Sequence, residues 1–127
     1  MKKLRLLHVI TRLDSGGSAV STFLGSAYAG EKFEVALAIG GAGGQANFLE
    51  LKRRFGDNGA QVFLVPHFKR ELSFFSDIAA FFELLSLMQD YAPDIVHTHT
   101  SKAGVLGRCA AAVYGFFASS RPKIVHT

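Results

Sequence analysis

Hydrophobic and polar positions along the chain fall into nine blocks of two kinds. Short apolar runs, several of them rich in β-branched residues, predict strands, and longer segments with an apolar face predict helices. The predicted strands span 4–10, 33–39, 60–65, 94–99 and 123–127. The predicted helices span 19–29, 47–55, 73–91 and 101–116. Strands and helices therefore alternate from the first block to the last.

This alternation, with short connections, predicts an α/β fold in which a doubly wound parallel sheet carries helices on both faces. The 127 residues contain neither an internal repeat nor a linker, so we treat 1–127 as one domain, long enough to bury a core. The pattern ends inside a strand at Thr127, which leads us to expect that the parent protein continues beyond it.

Two helices carry apolar residues at helical spacing, and we expect those residues to face the sheet. They are Val20, Phe23, Leu24 and Ala27 in 19–29, and Ile78, Phe81, Phe82, Leu85 and Met88 in 73–91. The last helix carries Gly104 and Gly107 instead, which predicts close packing of that helix on the sheet.

Composition narrows the function classes. Cys109 is the single cysteine, so no internal disulfide can form, and we expect a small buried helix residue in a reducing compartment. No apolar run reaches the roughly 18 residues of a transmembrane helix, and the N-terminus lacks a signal-peptide cleavage pattern, so we expect a cytoplasmic protein. The net charge of +4 is scattered without basic–aromatic interleaving, which argues against a nucleic-acid partner.

In an open parallel sheet, ligands bind outside the carboxyl ends of the strands. The loop after the first strand contains Gly16 and Gly17 and leads into a helix near Ser18. Its backbone N–H groups and the helix dipole suit a phosphate or carboxylate, although the same residues also make an ordinary turn and helix cap. The loop lacks the G-x-G-x-x-G pattern, which disfavours a nicotinamide cofactor.

The fourth strand runs into the segment DIVHTHTSKAG, with His97 and His99 on one face of the strand. His97 lies deeper, and we interpret it first as a hydrogen-bonded core histidine. For His99, nearer the mouth of the sheet, a core role and a ligand-binding role are both open. An H-x-H pair can hold a metal ion, but no third ligand is evident from the sequence, so we predict no metal.

Thr100, Ser101 and Lys102 follow at the start of the next helix. Either hydroxyl is a good N-cap, and a lysine opposed to the helix dipole indicates an anionic partner unless its side chain turns into solvent. The loop after the third strand contains Lys69 and Arg70, interpreted either as a solvated charged loop or as a cationic part of the same edge.

Together these motifs resemble glycosyltransferase family 4, the group 1 glycosyl transferases with the GT-B fold. The resemblance is carried by the Gly16–Gly17 loop, by VPHFKREL at 65–72 and, most specifically, by PDIVHTHTSKAGVLGR at 93–108. It covers nearly the whole chain.

The resemblance implies a Rossmann-like N-terminal domain that binds the acceptor and faces a C-terminal nucleotide-sugar domain, which is absent from this chain. The full-length enzyme would transfer a sugar with retention from a nucleotide-sugar donor to a glycan or lipid-linked acceptor, in surface polysaccharide synthesis. It would need no cofactor or metal, the chain alone would be inactive, and a lipid-linked acceptor would suit a peripheral contact at the inner membrane face. Gly16 and Gly17, with Ser18 beside them, would approach the donor diphosphate. The acceptor side would be lined by His99, Thr100, Ser101, Lys102, Lys69 and Arg70.

The usual active-site histidine of the family follows the fifth strand in a His-Gly pair, so His126 is not assigned that role and the catalytic residues stay unassigned. Two alternatives remain open. One is a nucleotide-sugar epimerase of the same architecture. The other is a stand-alone flavodoxin-like ligand-binding or interaction domain, whose Phe-rich helix 73–91 would be a partner surface.

Overall fold

The computed structural model describes residues 3–11, 17–41, 44–56, 59–69 and 71–127, with the backbone alone described at 17–19, 27–28 and 44–45. The strands are β1 Leu4–Ile10, β2 Phe33–Gly40, β3 Gln61–Val65, β4 Ile95–His99 and β5 Lys123–His126. The helices are α1 Gly17–Ala29, α2 Gly44–Phe55, α3 Phe74–Tyr91 and α4 Ser101–Phe117. Every predicted element is confirmed, with bounds that differ by at most three residues.

The five strands form one sheet in the order β3-β2-β1-β4-β5, and all neighbouring pairs are parallel. The chain moves outward from β1 to β3 and then returns to β4 on the other side of β1. The strand order therefore reverses between β1 and β4, which confirms the doubly wound sheet and places its topological switch point there.

Alternate residues of a strand face opposite sides of the sheet, and this divides the core into two layers. Leu7, Val9 and Val96 pack against the buried sides of α3 and α4. On the other face, Ile10, Leu37 and Ile39 pack with residues of α1 and α2. In both layers, the buried strand residues belong to the apolar runs from which the strands were predicted.

The buried face of α3 differs from the prediction. The helix buries Ala80, Leu84, Leu87, Met88 and Tyr91, whereas Ile78 and Phe82, which we expected in the core, are exposed. The first half of α3 is apolar on two sides, so periodicity alone could not decide which side meets the sheet. Contact with α4 selects the side that carries the small Ala80.

Two smaller expectations about burial are also wrong. Leu24 of α1 lies at the edge of the apolar face and is exposed. Cys109 is exposed, because α4 meets the sheet and α3 through its small residues Ala103, Gly107, Ala110 and Ala111. The thiol therefore lies on the outward side of the helix.

The glycines of α4 confirm the predicted close packing. A Cβ at Gly107 would lie 2.6 Å from Thr98 Cγ2 and 3.4 Å from Val9 Cγ1, on the two central strands. A Cβ at Gly104 would lie 2.5 Å from Cε1 of His126. Any side chain at these positions would push α4 away from β1, β4 and β5.

The described ranges of the chain contain the four helices α1 to α4. None of the helices there combines the length and the apolar character needed to cross a bilayer.

Candidate functional site

The candidate site lies at the switch point, outside the carboxyl ends of β1 and β4. The residues that directly follow these strands are Thr11 and Thr100, whose hydroxyl oxygens are 3.1 Å apart and share a hydrogen bond. α4 begins at Ser101, so the N-terminus of this helix points to the same place. Hydroxyl groups and a helix N-terminus together suit a polar ligand with acceptor oxygens.

Thr100 holds an unusual backbone conformation, with φ 71° and ψ 162°. This region of backbone space is normally reserved for glycine, and a β-branched residue there costs about 1–3 kcal/mol. Thr100 occupies the N-cap position of α4, as predicted, but its hydroxyl makes no cap hydrogen bond and bonds to Thr11 instead. Strain of this kind persists where the surrounding structure holds a residue in place.

A pair of substitutions should measure this strain. We expect Thr100→Gly to be more stable than Thr100→Ala by about 1 kcal/mol, because only glycine adopts this conformation freely and both variants lose the hydroxyl. Urea denaturation of the two variants gives the difference. At Ser86, an exposed position inside α3, the order should reverse and alanine should be favoured. Equal stability of the two Thr100 variants would contradict the assignment of strain.

Three histidines form a cluster on one face of the sheet behind the two threonines. His8 lies opposite His97 in the pairing of β1 with β4, and His99 lies one pleat nearer the mouth. The rings of His97 and His99 stack with centroids 4.2 Å apart, and His8 lies 5.1 Å from each. His8 Nδ1 and His99 Nε2 are 2.9 Å apart and share a hydrogen bond.

His8 was missed as a candidate by the sequence analysis. Its signal is a single polar residue inside the apolar run LRLLHVI, on what becomes a central strand. Only the strand order shows that β1 lies beside β4, so that His8 meets the H-x-H pair.

The environment of the cluster keeps its imidazoles neutral. Burial, followed by the nearby His99 and His97, lowers the pKa of His8 to about 3. Burial and then the neighbouring His97 and His126 lower the pKa of His99 to about 4. Burial first, and His126 second, also lower the pKa of His97. Near neutral pH one of the two ring nitrogens of each histidine therefore carries a hydrogen and is a donor, and the other is an acceptor.

The same three histidines are the group among the described residues that could hold a metal ion. One ring nitrogen from each lies within 4.8 Å of the others. A tetrahedral ion with bonds of about 2.1 Å needs nitrogens about 3.4 Å apart. The rings are stacked, and one pair of nitrogens is already joined by a hydrogen bond that an ion would have to displace. The absence of a metal stays a prediction.

His97 and His126 are held by hydrogen bonds at the neighbouring strand. His97 Nε2 lies 2.6 Å from Thr127 Oγ1, and His126 Nδ1 lies 2.8 Å from Thr98 Oγ1. The hydrogen bond expected for His97 is present, but the expectation of a buried core position is wrong, because His97 is only half-buried. Its stacking on His99 makes it part of the cluster.

Lys102 finds its anionic partner within the domain. Its Nζ lies 2.5 Å from Asp77 Oδ1 of α3 and donates a hydrogen bond to the Glu71 carbonyl oxygen. Its side chain is only 11% exposed, so the ion pair ties the start of α4 to the start of α3. A substrate-binding role for Lys102 stays a prediction beside this structural one.

We expect Lys102→Met to destabilise the domain by about 1–3 kcal/mol, because it leaves the largely buried Asp77 carboxylate without its cation. Thermal unfolding measures the loss, and Asp77→Asn in the same chain should recover most of it. Lys123→Met, at an exposed strand position, is the matched control and should change little. A Lys102 variant as stable as the control would remove the structural role.

The other predicted site residues fall into three groups. Gly17 and Ser18 open α1, with the backbone alone described, and Ser101 opens α4. Lys69 is exposed in the loop after β3. Gly16 and Arg70 lie outside the described residues, so the diphosphate-binding loop stays a prediction.

A family model and a curated relative of this chain indicate the same family of proteins. The model of the family described as "Glycosyltransferase Family 4" matches residues 15–127. A galactosyltransferase of Escherichia coli, named as UDP-Gal:alpha-D-GlcNAc-diphosphoundecaprenol alpha-1,3-galactosyltransferase, is 32% identical over 126 residues. That match covers 98% of this chain and 30% of the relative, so the chain spans less than a third of the relative's length.

Solved structures match the fold at lower identity. A UDP-N-acetylglucosamine 2-epimerase superposes with a TM-score of 0.70 and 17% identity, covering all of this chain and 32% of the epimerase. MurG of Acinetobacter baumannii superposes with a TM-score of 0.57 and 11% identity, covering 97% of this chain and 45% of MurG. At these identities the structures show the fold alone.

Proposed function

We propose, because this chain belongs to glycosyltransferase family 4, that it is the acceptor-binding half of a retaining glycosyltransferase. The observation that supports this function is the group of neutral polar side chains at the switch point: the hydroxyls of Thr11 and Thr100 and the imidazole of His99. Sugar hydroxyls both donate and accept hydrogen bonds, and neutral hydroxyls and imidazoles match them without the desolvation cost of a charge.

The donor requires a different surface. A nucleotide diphosphate carries several negative charges, and the described cations near the switch point are few, since Lys102 is paired with Asp77. We therefore propose that a second domain, outside these 127 residues, binds the nucleotide sugar across a cleft, and that the chain alone is inactive. Backbone N–H groups at the start of α1 would contribute to stabilising the departing diphosphate.

The acceptor class follows from the Escherichia coli relative, whose name specifies an acceptor linked to diphosphoundecaprenol. We propose a lipid-linked acceptor for this protein as well, and with it a role in the synthesis of surface polysaccharides. UDP-galactose and a GlcNAc diphosphate lipid are the first substrates to test.

A transfer assay with the protein as its gene encodes it tests this function. Labelled nucleotide sugars are supplied singly with polyprenyl diphosphate acceptors, and the lipid product is extracted and counted. We expect transfer from one donor, unaffected by EDTA, and a product linkage that keeps the anomeric configuration of the donor.

Two results would redirect the proposal. Binding of a sugar or nucleotide without transfer from any donor would favour a ligand-binding module. Interconversion of free nucleotide sugars would favour the epimerase activity. The double variant Thr11→Val with Thr100→Val tests the site in the same assay. It removes both hydroxyls and should lower transfer at least tenfold, while binding of the nucleotide sugar persists.

An apolar patch beside the site supports a membrane contact for such an acceptor. The patch consists of Leu72, Phe74, Phe75, Ile78 and Phe82, all exposed at the start of α3 and therefore at the carboxyl edge of the sheet. Contiguous exposed aromatic residues of this kind mark interaction surfaces.

The charged groups around this patch are compatible with a lipid surface as the partner. Asp77 is paired with Lys102, and Glu83 accepts hydrogen bonds from the backbone N–H and the ring of His67. Both acids of α3 nearest the patch are thus paired, while Lys69 and Glu71 are exposed in the loop just before it. We propose that the patch enters the headgroup region and brings the site to a lipid-linked acceptor.

Vesicle co-sedimentation tests the contact with a matched pair of variants. Phe74→Ser with Phe75→Ser should lower binding to vesicles containing anionic lipid at least tenfold, since each exposed ring contributes about 1–2 kcal/mol on burial. Phe116→Ser with Phe117→Ser removes two rings of similar exposure, 74% and 75%, at the far end of α4. That control should bind normally, and equal loss in both variants would remove α3 as the contact.

A further inference from the structure

His8 is the most deeply buried member of the histidine cluster. The residue is 6% exposed and lies within β1, and its Nδ1 shares a hydrogen bond with His99 Nε2 at 2.9 Å. Its other nitrogen, Nε2, is buried and has no hydrogen-bond partner within the described residues. Packing alone does not explain a buried histidine that has a hydrogen bond at one ring nitrogen and none at the other.

A hydrogen bond between two neutral imidazoles contains a single hydrogen, which allows two arrangements. In the first, Nδ1 of His8 donates to Nε2 of His99, and the hydrogen of His99 is then on its Nδ1. In the second, Nε2 of His99 donates to Nδ1 of His8, and His8 then carries a hydrogen on its buried Nε2. The second arrangement leaves an N–H group in the interior without an acceptor, which native structures avoid more strictly than a bare acceptor.

We propose that His8 sets the tautomer of His99 by donating from Nδ1, so that His99 presents a neutral N–H donor from its own Nδ1 at the switch point. His8 is then a positioning residue, and His99 is the residue that meets the ligand. His99 is the last residue of β4, is 9% exposed, and stacks on His97. A fixed neutral donor suits an acceptor oxygen of a sugar or a phosphate, and cannot serve as the base for a hydroxyl hydrogen.

The role of this donor rests on the proposed function, but the position of the hydrogen does not. It can be read on the protein alone by two-bond proton–nitrogen correlation of histidine-labelled protein near pH 7.5 in EDTA. We expect the His99 signals of the Nδ1–H form, with Nε2 unprotonated. A His99 spectrum of the Nε2–H form would overturn the proposal.

Two variants separate the hydrogen bond from packing. His8→Phe keeps a ring in the interior but removes the donor, and the face of the phenylalanine ring can receive an N–H group. With nothing donating to Nε2 of His99, its Nε2–H form should appear beside the Nδ1–H form. His97→Phe keeps the stack and leaves the bond to His8 intact, so His99 should stay in the Nδ1–H form. An unchanged His99 tautomer in a folded His8→Phe variant would contradict the proposal. His8→Asn, whose amide N–H can take the place of Nδ1, is the second variant if the phenylalanine fails to fold.

Kinetics then connect the tautomer to acceptor use. In the transfer assay His8→Phe should raise the acceptor KM about tenfold, the loss expected for one hydrogen bond, with partial rescue in His8→Asn and little change in donor KM. A normal acceptor KM with a shifted tautomer would overturn the role of the donor. If no substrate is transferred at all, the proposed function fails while the tautomer result still stands by itself.

Discussion

Gly40→Ala is expected to destabilise the domain by about 3 kcal/mol or more, among the largest effects of any single methyl group here. Gly40 closes β2, and its N–H donates to the Thr11 carbonyl oxygen at 3.1 Å. A Cβ at this position would overlap the backbone carbonyl oxygens of both Thr11 and Phe68. Backbone atoms cannot rotate away as a side chain can, so the ends of β1, β2 and the loop after β3 would have to separate.

The prediction is checked by urea denaturation, with Gly25→Ala as the matched control. Gly25 lies inside α1 with no atom within 4 Å of its added Cβ, so that substitution should stabilise the chain by about 0.5–1 kcal/mol. Because Thr11 bonds to Thr100 at the site, a folded Gly40→Ala variant should also lose ligand binding. Gly40→Ala with wild-type stability would show that the three segments are not held in this close approach.

The second large effect concerns acid. The folded chain holds His8 with a pKa of about 3 and His99 with a pKa of about 4, whereas both have ordinary pKa values near 6.5 when unfolded. Below pH 6.5 the unfolded chain therefore binds more protons, and the stability present at neutral pH is lost as the pH falls toward 4. Each histidine contributes at most about 1.4 kcal/mol per pH unit, so we expect on the order of 3 kcal/mol to be lost between pH 6.5 and pH 5.

Urea denaturation at pH 7, 6 and 5 measures this loss. In a folded His8→Phe variant the unfolding free energy should depend less steeply on pH. The slope should fall by the amount that corresponds to about one proton taken up on unfolding, since that group no longer titrates. His67, which lies in the loop after β3 away from the cluster, supplies the matched variant His67→Phe. A free energy of unfolding that is flat from pH 7 to pH 5 would show that the cluster is not held neutral by burial.

The elements and the fold class were predictable because the relevant signals are local. Alternating apolar runs place β1 at Leu4–Ile10, as observed, and Ala92–Pro93 ends α3 through a left-handed Ala92 with φ 55°. Gly104 and Gly107 of α4 were also interpreted correctly, since a glycine in a helix has a cost that close packing explains. The segment after β4 was also found from a local signal, because polar side chains directly follow an apolar strand.

The rest depended on which segments meet in space. Phe82 is exposed and Cys109 lies on the surface because α3 and α4 pack together through small residues, a choice that periodicity does not make. Lys102 was predicted to have an anionic partner, and the structure shows that this partner is Asp77 of α3, 25 positions earlier in the chain. No local pattern links such a pair.

The sequence by itself determined the alternation of strands and helices, the parallel sheet and the edge at which we expect a ligand, because hydrophobic periodicity and turn chemistry act between near neighbours. Only the tertiary structure decided what that edge contains. The order β3-β2-β1-β4-β5 brings His8 beside His97 and His99, and Thr11 beside Thr100, across some 90 residues of chain. Strand order is set by burying both faces of the sheet at once, and that is a property of the whole core.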